Sequence, residues 1–251
     1  MTTKAVELAK AKVKLTPRRA SCAAQDCHAC EIRDLTFCAG LDESEIATLS
    51  GIALRMHFAK RRVIFHEGDA ADMVYNVTQG AVRLCKLTPD GRRQITGFLL
   101  PGDFLGLGGR QGYAYGAEAI TDVELCRFRR DKLEKLFENH RQLERRLFKI
   151  ANDELAIAQD QMLLLGRKTA KERLATFLLN LSEREELRGG QGGVVYLPMV
   201  QEDIADYLGL TIETVSRTIS QLKRDRLIHQ TTSHEFELPR IEELRHLAEQ
   251  T

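Results

Sequence analysis

The spacing of apolar residues changes three times along the chain. From Val63 to Phe128, short runs rich in β-branched and aromatic residues alternate with Gly and Pro: VIFHEG, MVYNVTQG, VRLCKL, RQITGFLL, PGDFLGL and VELCRF. Runs of this length and spacing predict an antiparallel barrel or roll. Thr88-Pro89-Asp90-Gly91 reads as the hairpin turn between two of them. Ahead of this block, residues 41–60 predict a short helix, with Asp42 as its cap and Ile46 and Leu49 on its buried face.

After the block the period becomes helical. Residues 131–165 read as one long helix, with Leu136, Leu143, Ile150, Ile157 and Leu164 recurring every seven positions. Leu147, Phe148, Ala151, Leu155 and Met162 widen the stripe, and Glu154 lies beside it. A sustained heptad predicts pairing with a second helix, that of a symmetry mate. Leu143, Leu147, Ile150, Ile157 and Leu164 are its expected homodimer seam, and Gly166 ends the helix. A further amphipathic helix follows over 167–187, then the loop RGGQGG and a short strand from Val194 to Leu197.

The segment QEDIADYLGLTIETVSRTIS, residues 201–220, fits two helices around a tight turn. Ile204, Leu208, Leu210, Val215 and Ile219 are apolar at packing positions, Ala205 is small at the close approach, and Gly209 sits where positive φ is needed. Thr211 can cap the second helix. In a helix-turn-helix the N-terminal part of that helix enters the major groove. Glu213, Ser216 and Arg217 share a face there. Arg217 can donate twice to guanine, Glu213 can accept from cytosine N4, and Ser216 can approach thymine or a phosphate. Lys223, Arg224 and Arg226 follow near the helix end, where phosphates can be held.

Charge modifies this picture. The chain has a net charge of +1, which excludes a strongly basic nucleic-acid coat. Residues 167–251 hold 12 basic and 14 acidic side chains, a net of −2, so DNA binding requires a local basic face. With 43% hydrophobic and 29% charged residues the chain can bury a core. No apolar run reaches the length of a membrane span, and the N-terminus lacks the apolar region of a secretory signal, so a cytoplasmic protein without a membrane partner is expected.

Cysteine adds candidate chemistry. Cys22, Cys27, Cys30 and Cys38 fall within seventeen residues of polar sequence, while Cys85 and Cys126 lie in the strand block. In a reducing compartment a disulfide framework is not expected. A Cys-x2-Cys pair with further thiols nearby is a metal-site pattern, and spacing alone leaves structural zinc and an iron–sulfur cluster both open. If Val123 and Leu125 face the roll interior, Cys126 faces the N-terminal segment.

In this order, Cys segment, β-roll, long helix and helix-turn-helix, the chain resembles the Crp/Fnr superfamily of bacterial transcription regulators, and within it the oxygen-responsive FNR type. The resemblance covers roughly residues 22–230 and is most specific in QITGF, LPGDFLG, LLLGRKTAKERLA and YLGLTIETVSR, with Glu213–Ser216–Arg217 matching the recognition helix. It implies an α+β fold: an N-terminal antiparallel roll of the cyclic-nucleotide-binding kind, a dimerisation helix and a C-terminal winged helix-turn-helix. It also implies an oxygen-labile [4Fe-4S] cluster on three N-terminal cysteines and one from the roll, here Cys27, Cys30, Cys38 and Cys126. The second gap, seven residues, is longer than in some members, and Cys22 is a fifth candidate. Further implications are a palindromic double-stranded site of the form TTGAT-N4-ATCAA and a contact of the hairpin around Lys86–Gly91 with RNA polymerase.

The expected organisation is a basic flexible arm (1–20), a Cys segment (21–40), a roll (41–130), a dimer helix (131–165) and a DNA-binding domain (166–251). Superfamily members that bind cyclic nucleotides need an Arg followed by a small hydroxyl residue. The segment GLGGRQGYAYGAEAIT offers Arg110 without that neighbour, so no cyclic nucleotide is expected. His28, His57 and His66 have no haem-ligand context, and no catalytic triad, paired-acid motif or P-loop marks an enzyme.

Overall fold

The computed structural model describes residues 27–106 and 112–249. The arm 1–20, Cys22 and Arg110 lie outside them.

The chain begins with two 3₁₀ turns, Cys27–Ala29 and Arg33–Leu35, followed by helix α1, Glu43–Ser50. Asp42 and Glu45 form a reciprocal capping box at its start, and Ile46 and Leu49 are fully buried, as the pattern predicts. The helix is shorter than the span 41–60, because residues 53–58 form a strand instead. There the ladder with a neighbouring strand supplies backbone partners that an exposed helix end would lack.

Among the described residues eight strands build the roll: β1 Ala53–Phe58, β2 Val63–Phe65, β3 Met73–Gln79, β4 Val82–Leu87, β5 Arg93–Leu99, β6 Phe104–Leu105, β7 Gly116–Ala119 and β8 Val123–Arg129. They pair antiparallel as two sheets ordered β1-β8-β3-β6 and β2-β7-β4-β5. The turn of the β4–β5 hairpin closes with Gly91 at φ +83°. Alternation along β8 sets the interior. Val123 and Leu125 are fully buried inside the roll, whereas Cys126 and Phe128 are buried on its other face, beneath the N-terminal segment.

The long helix is two helices, which corrects the single helix expected over 131–165. Helix α2, Arg130–Asn139, and helix α3, Arg141–Arg167, meet at His140, where φ −131° and ψ 79° leave the helical region. His140 is held there by Glu45, whose Oε1 lies 3.0 Å from its Nδ1. The break lets Leu133 and Leu136 of α2 and Leu143 of α3 all reach the same core as Phe37 and Phe128.

The expected seam also needs correction. Leu143 is fully buried against the roll of its own chain, Leu147 and Ile150 pack on that same cluster, and Leu164 is buried in the C-terminal core. Of the five, only Ile157 is open to solvent, at 54% exposure. The exposed stripe has another register, Phe148 (69%), Leu155 (56%) and Met162 (66%), with Ala151 and Ala158 between them. A helix that leans on its own roll at one end and its own C-terminal domain at the other spends those apolar positions internally. The face turned away is what a second chain can cover.

The C-terminal part comprises α4 Ala170–Leu187, β9 Val194–Tyr196, α5 Gln201–Leu208, α6 Ile212–Arg224, β10 His229–Gln230, β11 Glu235–Glu237 and α7 Ile241–Glu249. The three strands form a small antiparallel sheet, ordered β10-β11-β9, beside α5 and α6. Its core is shared with the roll: Ala81, Ile95, Phe98, Leu100 and Ile120 belong to the same buried cluster as Leu174, Leu178, Ile204 and Val215. No helix among the described residues is long and apolar enough to cross a membrane.

Candidate metal centre and nucleic-acid interface

Four cysteines, three from the N-terminal segment and one from β8, line one cavity. Cys27 and Cys30 come from the first 3₁₀ turn and its end, Cys38 follows the second turn, and Cys126 comes from β8, with Arg33, Thr36, Asn76 and Thr78 completing the walls. What brings the N-terminal segment onto the roll is Phe37. Its ring is fully buried, edge-on to Phe104 at 5.3 Å and to Phe128 at 5.4 Å between centroids. Such pairs add about 0.5–1.5 kcal/mol each beyond burial. Phe128, which shares a face with Cys126, is buried because it receives Phe37.

The electrostatics of the cavity follow from burial. Burial above all pushes the Cys38 thiol up to about 12, a hydrogen bond from Thr36 opposes this, and the neighbouring Cys27 and Cys30 add to it. Cys126 is raised still further, by burial first and then by Cys27, Cys38 and Cys30. Arg146 of α3 favours the charged form of Cys38, and Arg55 of β1 that of Cys126. Left to themselves, these thiols stay protonated. A positively charged partner inside the cavity would make them thiolates. Asn76, paired with Cys126 across the β3–β8 ladder, points its amide nitrogen at Cys38 Sγ, 3.8 Å away. Its buried Oδ1 has no hydrogen-bond partner. Among the described residues no three His, Cys, Asp or Glu side chains are placed to hold one metal ion. The donor set, three buried thiols and the part-exposed Cys30 around a common space, fits a multi-atom iron–sulfur cluster better than a single zinc, whose four donors must converge on one point at about 2.3 Å. Cys85 lies apart, on β4, in the other sheet.

The second candidate site is the helix-turn-helix. Gly209 takes the left-handed conformation, φ +61° and ψ 43°, between α5 and α6. Thr211 accepts a bond from the Thr214 amide and caps α6. Ile204, Leu208, Val215 and Ile219 face inward, leaving Glu213, Ser216 and Arg217 together on the exposed side. Hydrogen bonds at the helix start, from its own backbone first and from Thr211, hold the Glu213 carboxyl below the usual range, with Arg217 adding to this. Lys223, Arg224 and Arg226 are exposed at the far end, where Lys223 donates to Gln230 of β10.

A part-buried ion network centred on Asp203 joins this unit to the roll. Arg83 of β4 bonds Asp203 of α5 at 2.7 Å and Glu118 of β7 at 2.7 Å. Arg93 of β5 reaches Asp203 at 3.0 Å and Asp206 at 2.7 Å. Asp203 is almost inaccessible, and the two guanidiniums oppose the effect of burial on its carboxyl.

Comparison with known proteins agrees with both halves. A family model described as a cyclic nucleotide-binding domain matches residues 55–140, and one described as a Crp-like helix-turn-helix domain matches residues 172–247. The transcriptional activatory protein AadR of Rhodopseudomonas palustris is 44% identical over 79% of this chain and 83% of its own. The chain belongs to the Crp/Fnr family. Its Crp/Fnr relatives include the transcriptional activator protein FnrL of Cereibacter sphaeroides, 42% identical over 80% of this chain and 83% of its own. The solved structure of FixK2 from Bradyrhizobium japonicum, 42% identical, superposes with a TM-score of 0.73 over 78% of this chain and 97% of that one. Like these Crp/Fnr regulators, the protein is a DNA-binding transcription regulator and not an enzyme.

Within the Crp/Fnr roll, Phe65 stacks on Tyr113 with 3.6 Å between ring centroids, and Tyr75 and Tyr115 lie beside it. Sequence reasoning missed Asn76, Phe37 and Arg146 at the thiol cavity and Arg83, Arg93 and Asp203 at the domain junction. Asn76 left a trace, being a polar residue inside the apolar strand run MVYNV. The others left none, because their partners lie far away along the chain.

Proposed function

We propose that the protein is an oxygen-responsive regulator that holds a [4Fe-4S] cluster on Cys27, Cys30, Cys38 and Cys126 and, as a homodimer, binds palindromic DNA under low oxygen. The observation that carries this is the convergence of those four thiols, one of them from a strand nearly ninety positions beyond the others, on a single cavity. The bound cluster supplies an oxygen-labile redox centre, whose stability is set by exposure and by hydrogen bonds to its sulfurs.

The chain's own residues do the rest. Phe37 pins the Cys segment to the roll, and Cys126 fixes it from the roll side. Arg146 places a positive charge from α3 toward Cys38, so the helix that carries the exposed stripe also senses the cavity. Phe148, Leu155 and Met162 form the dimer seam, and two copies of α6 present Glu213, Ser216 and Arg217 to half-sites one DNA turn apart. A TTGAT-N4-ATCAA-like sequence is the expected site. The exposed hairpin tip around Lys86–Gly91, where Leu87 is 68% accessible, is the expected polymerase contact.

The decisive experiment is iron and acid-labile sulfide analysis of oxygen-free protein, with visible spectra and operator binding measured before and after air. Four irons and four sulfides per chain, lost with operator affinity on aeration and absent from a Cys30→Ser variant, are expected. Full zinc occupancy with little sulfide would reject the sensor in favour of a structural metal site.

A further inference from the structure

The motif Leu100-Pro101-Gly102-Asp103 lies in neither the thiol cavity nor the helix-turn-helix, yet it touches the neighbours of both. On one side Gly102 meets the second 3₁₀ turn. At φ +101° it takes a backbone conformation that glycine favours, and a Cβ there would come within 2.9 Å of Leu35 Cβ. The same turn is bonded to β3 beside the cavity: the Gly102 amide donates to Val77 O and the Val77 amide to Asp103 O, each at 2.9 Å. The adjacent Asn76 reaches Cys38.

On the other side the turn grips α4, the first helix of the C-terminal domain. Asp103 accepts from the Leu100 amide at 2.7 Å, which closes the turn, and also pairs with Arg184 and, at 3.2 Å, with Arg188. Arg188 donates to Pro101 O at 2.8 Å, and Arg184 to Phe98 O at 3.1 Å. Phe98, Phe177 of α4 and Tyr207 of α5 then form a ring cluster with centroids 5.2–6.0 Å apart, so a displacement of α4 is carried to the helix-turn-helix.

We infer that the turn 100–103 is a joint that couples the Cys segment to the DNA-binding domain within one subunit, with Asp103, Arg184 and Arg188 as positioning residues. It provides a second route of control beside the dimer helix. One segment, 30–38, bears on the turn, and the turn fixes α4 by charge-assisted bonds that survive only while its backbone keeps its place. Such coupling is reciprocal: what orders one side protects the other. The signal that enters the joint rests on the proposed cluster, whereas the mechanical link does not.

Hydrogen exchange on the full-length protein without oxygen, before and after loading with iron and sulfide, tests this. In the wild type, loading should slow exchange in 30–38 and, by about fivefold or more, in 181–190. In Arg184→Met/Arg188→Met, loading should still protect 30–38, but the loaded-to-unloaded ratio at 181–190 should fall to about one. A purely structural role would raise both rates and leave that ratio unchanged, so an unchanged ratio overturns the joint. If the protein takes up no iron or sulfide, the cluster reading fails by itself and the joint is judged on iron-free Leu35→Gly, which removes the Cβ that bears on Gly102. About fivefold faster exchange at 181–190 in that variant supports it, and an unaltered rate overturns it.

Discussion

Truncating Phe37 to Ala should release the Cys segment from the roll while the rest of the chain stays folded. The ring is fully buried between Phe104 and Phe128, and removing such a side chain costs about 3–5 kcal/mol. The segment has few other anchors, chiefly Ile32 and the small thiols Cys27 and Cys38. The loss therefore falls on local opening rather than on global unfolding. At about 1.4 kcal/mol per tenfold, the lower bound corresponds to an open population about a hundred times larger. Alkylation of Cys38 in iron-free protein, followed by peptide mass spectrometry, reads that population. Burial holds the Cys38 thiol at about 12, so detachment also increases its thiolate fraction and acts in the same direction. A rise in alkylation of less than about tenfold would mean that Phe37 does not hold the segment, and the account of how the thiols are assembled would fall.

Three other changes probe the remaining parts. Arg217→Ala should cost about 1–3 kcal/mol in operator binding, confined to one base pair per half-site in a mutated-operator series; equal loss on random DNA would make Arg217 a phosphate contact. Leu155→Glu should shift sedimentation of the loaded protein from dimer toward monomer without altering its helix content, and an unchanged profile would move the seam elsewhere. Asp203→Ala leaves Arg83 and Arg93 without their shared buried carboxylate and should lower stability by about 3–5 kcal/mol in denaturant titration. A loss below about 1 kcal/mol would show that the network is solvated in solution.

The sequence made local features legible wherever short-range chemistry decides them. Asp42 before Glu45, Gly209 between two apolar faces, and Thr211 ahead of the recognition helix are all specified within four residues, and all appear where expected. The facing of Cys126 was also readable, since strand alternation opposes it to Val123 and Leu125. The helix face was not. A seven-residue apolar repeat marks a seam only if no other surface claims those positions, and here the roll takes Leu143 while the C-terminal core takes Leu164. The break at His140 escaped for a related reason: neither Gly nor Pro marks it, and the residue that holds it, Glu45, lies 95 positions away.

The shared core and the arginine clamp on α5 have a consequence for recombination. Residues 167–251 are net acidic, and Asp203 and Asp206 obtain their counter-charges from Arg83 and Arg93 of the hairpin β4–β5. A chimera that grafts this C-terminal half onto a foreign sensor would uncover both carboxylates and strip Ile95, Phe98 and Leu100 from the interior beneath them. The transplantable unit is therefore discontinuous, and a productive crossover must carry the stretch 81–103 along with the reader head.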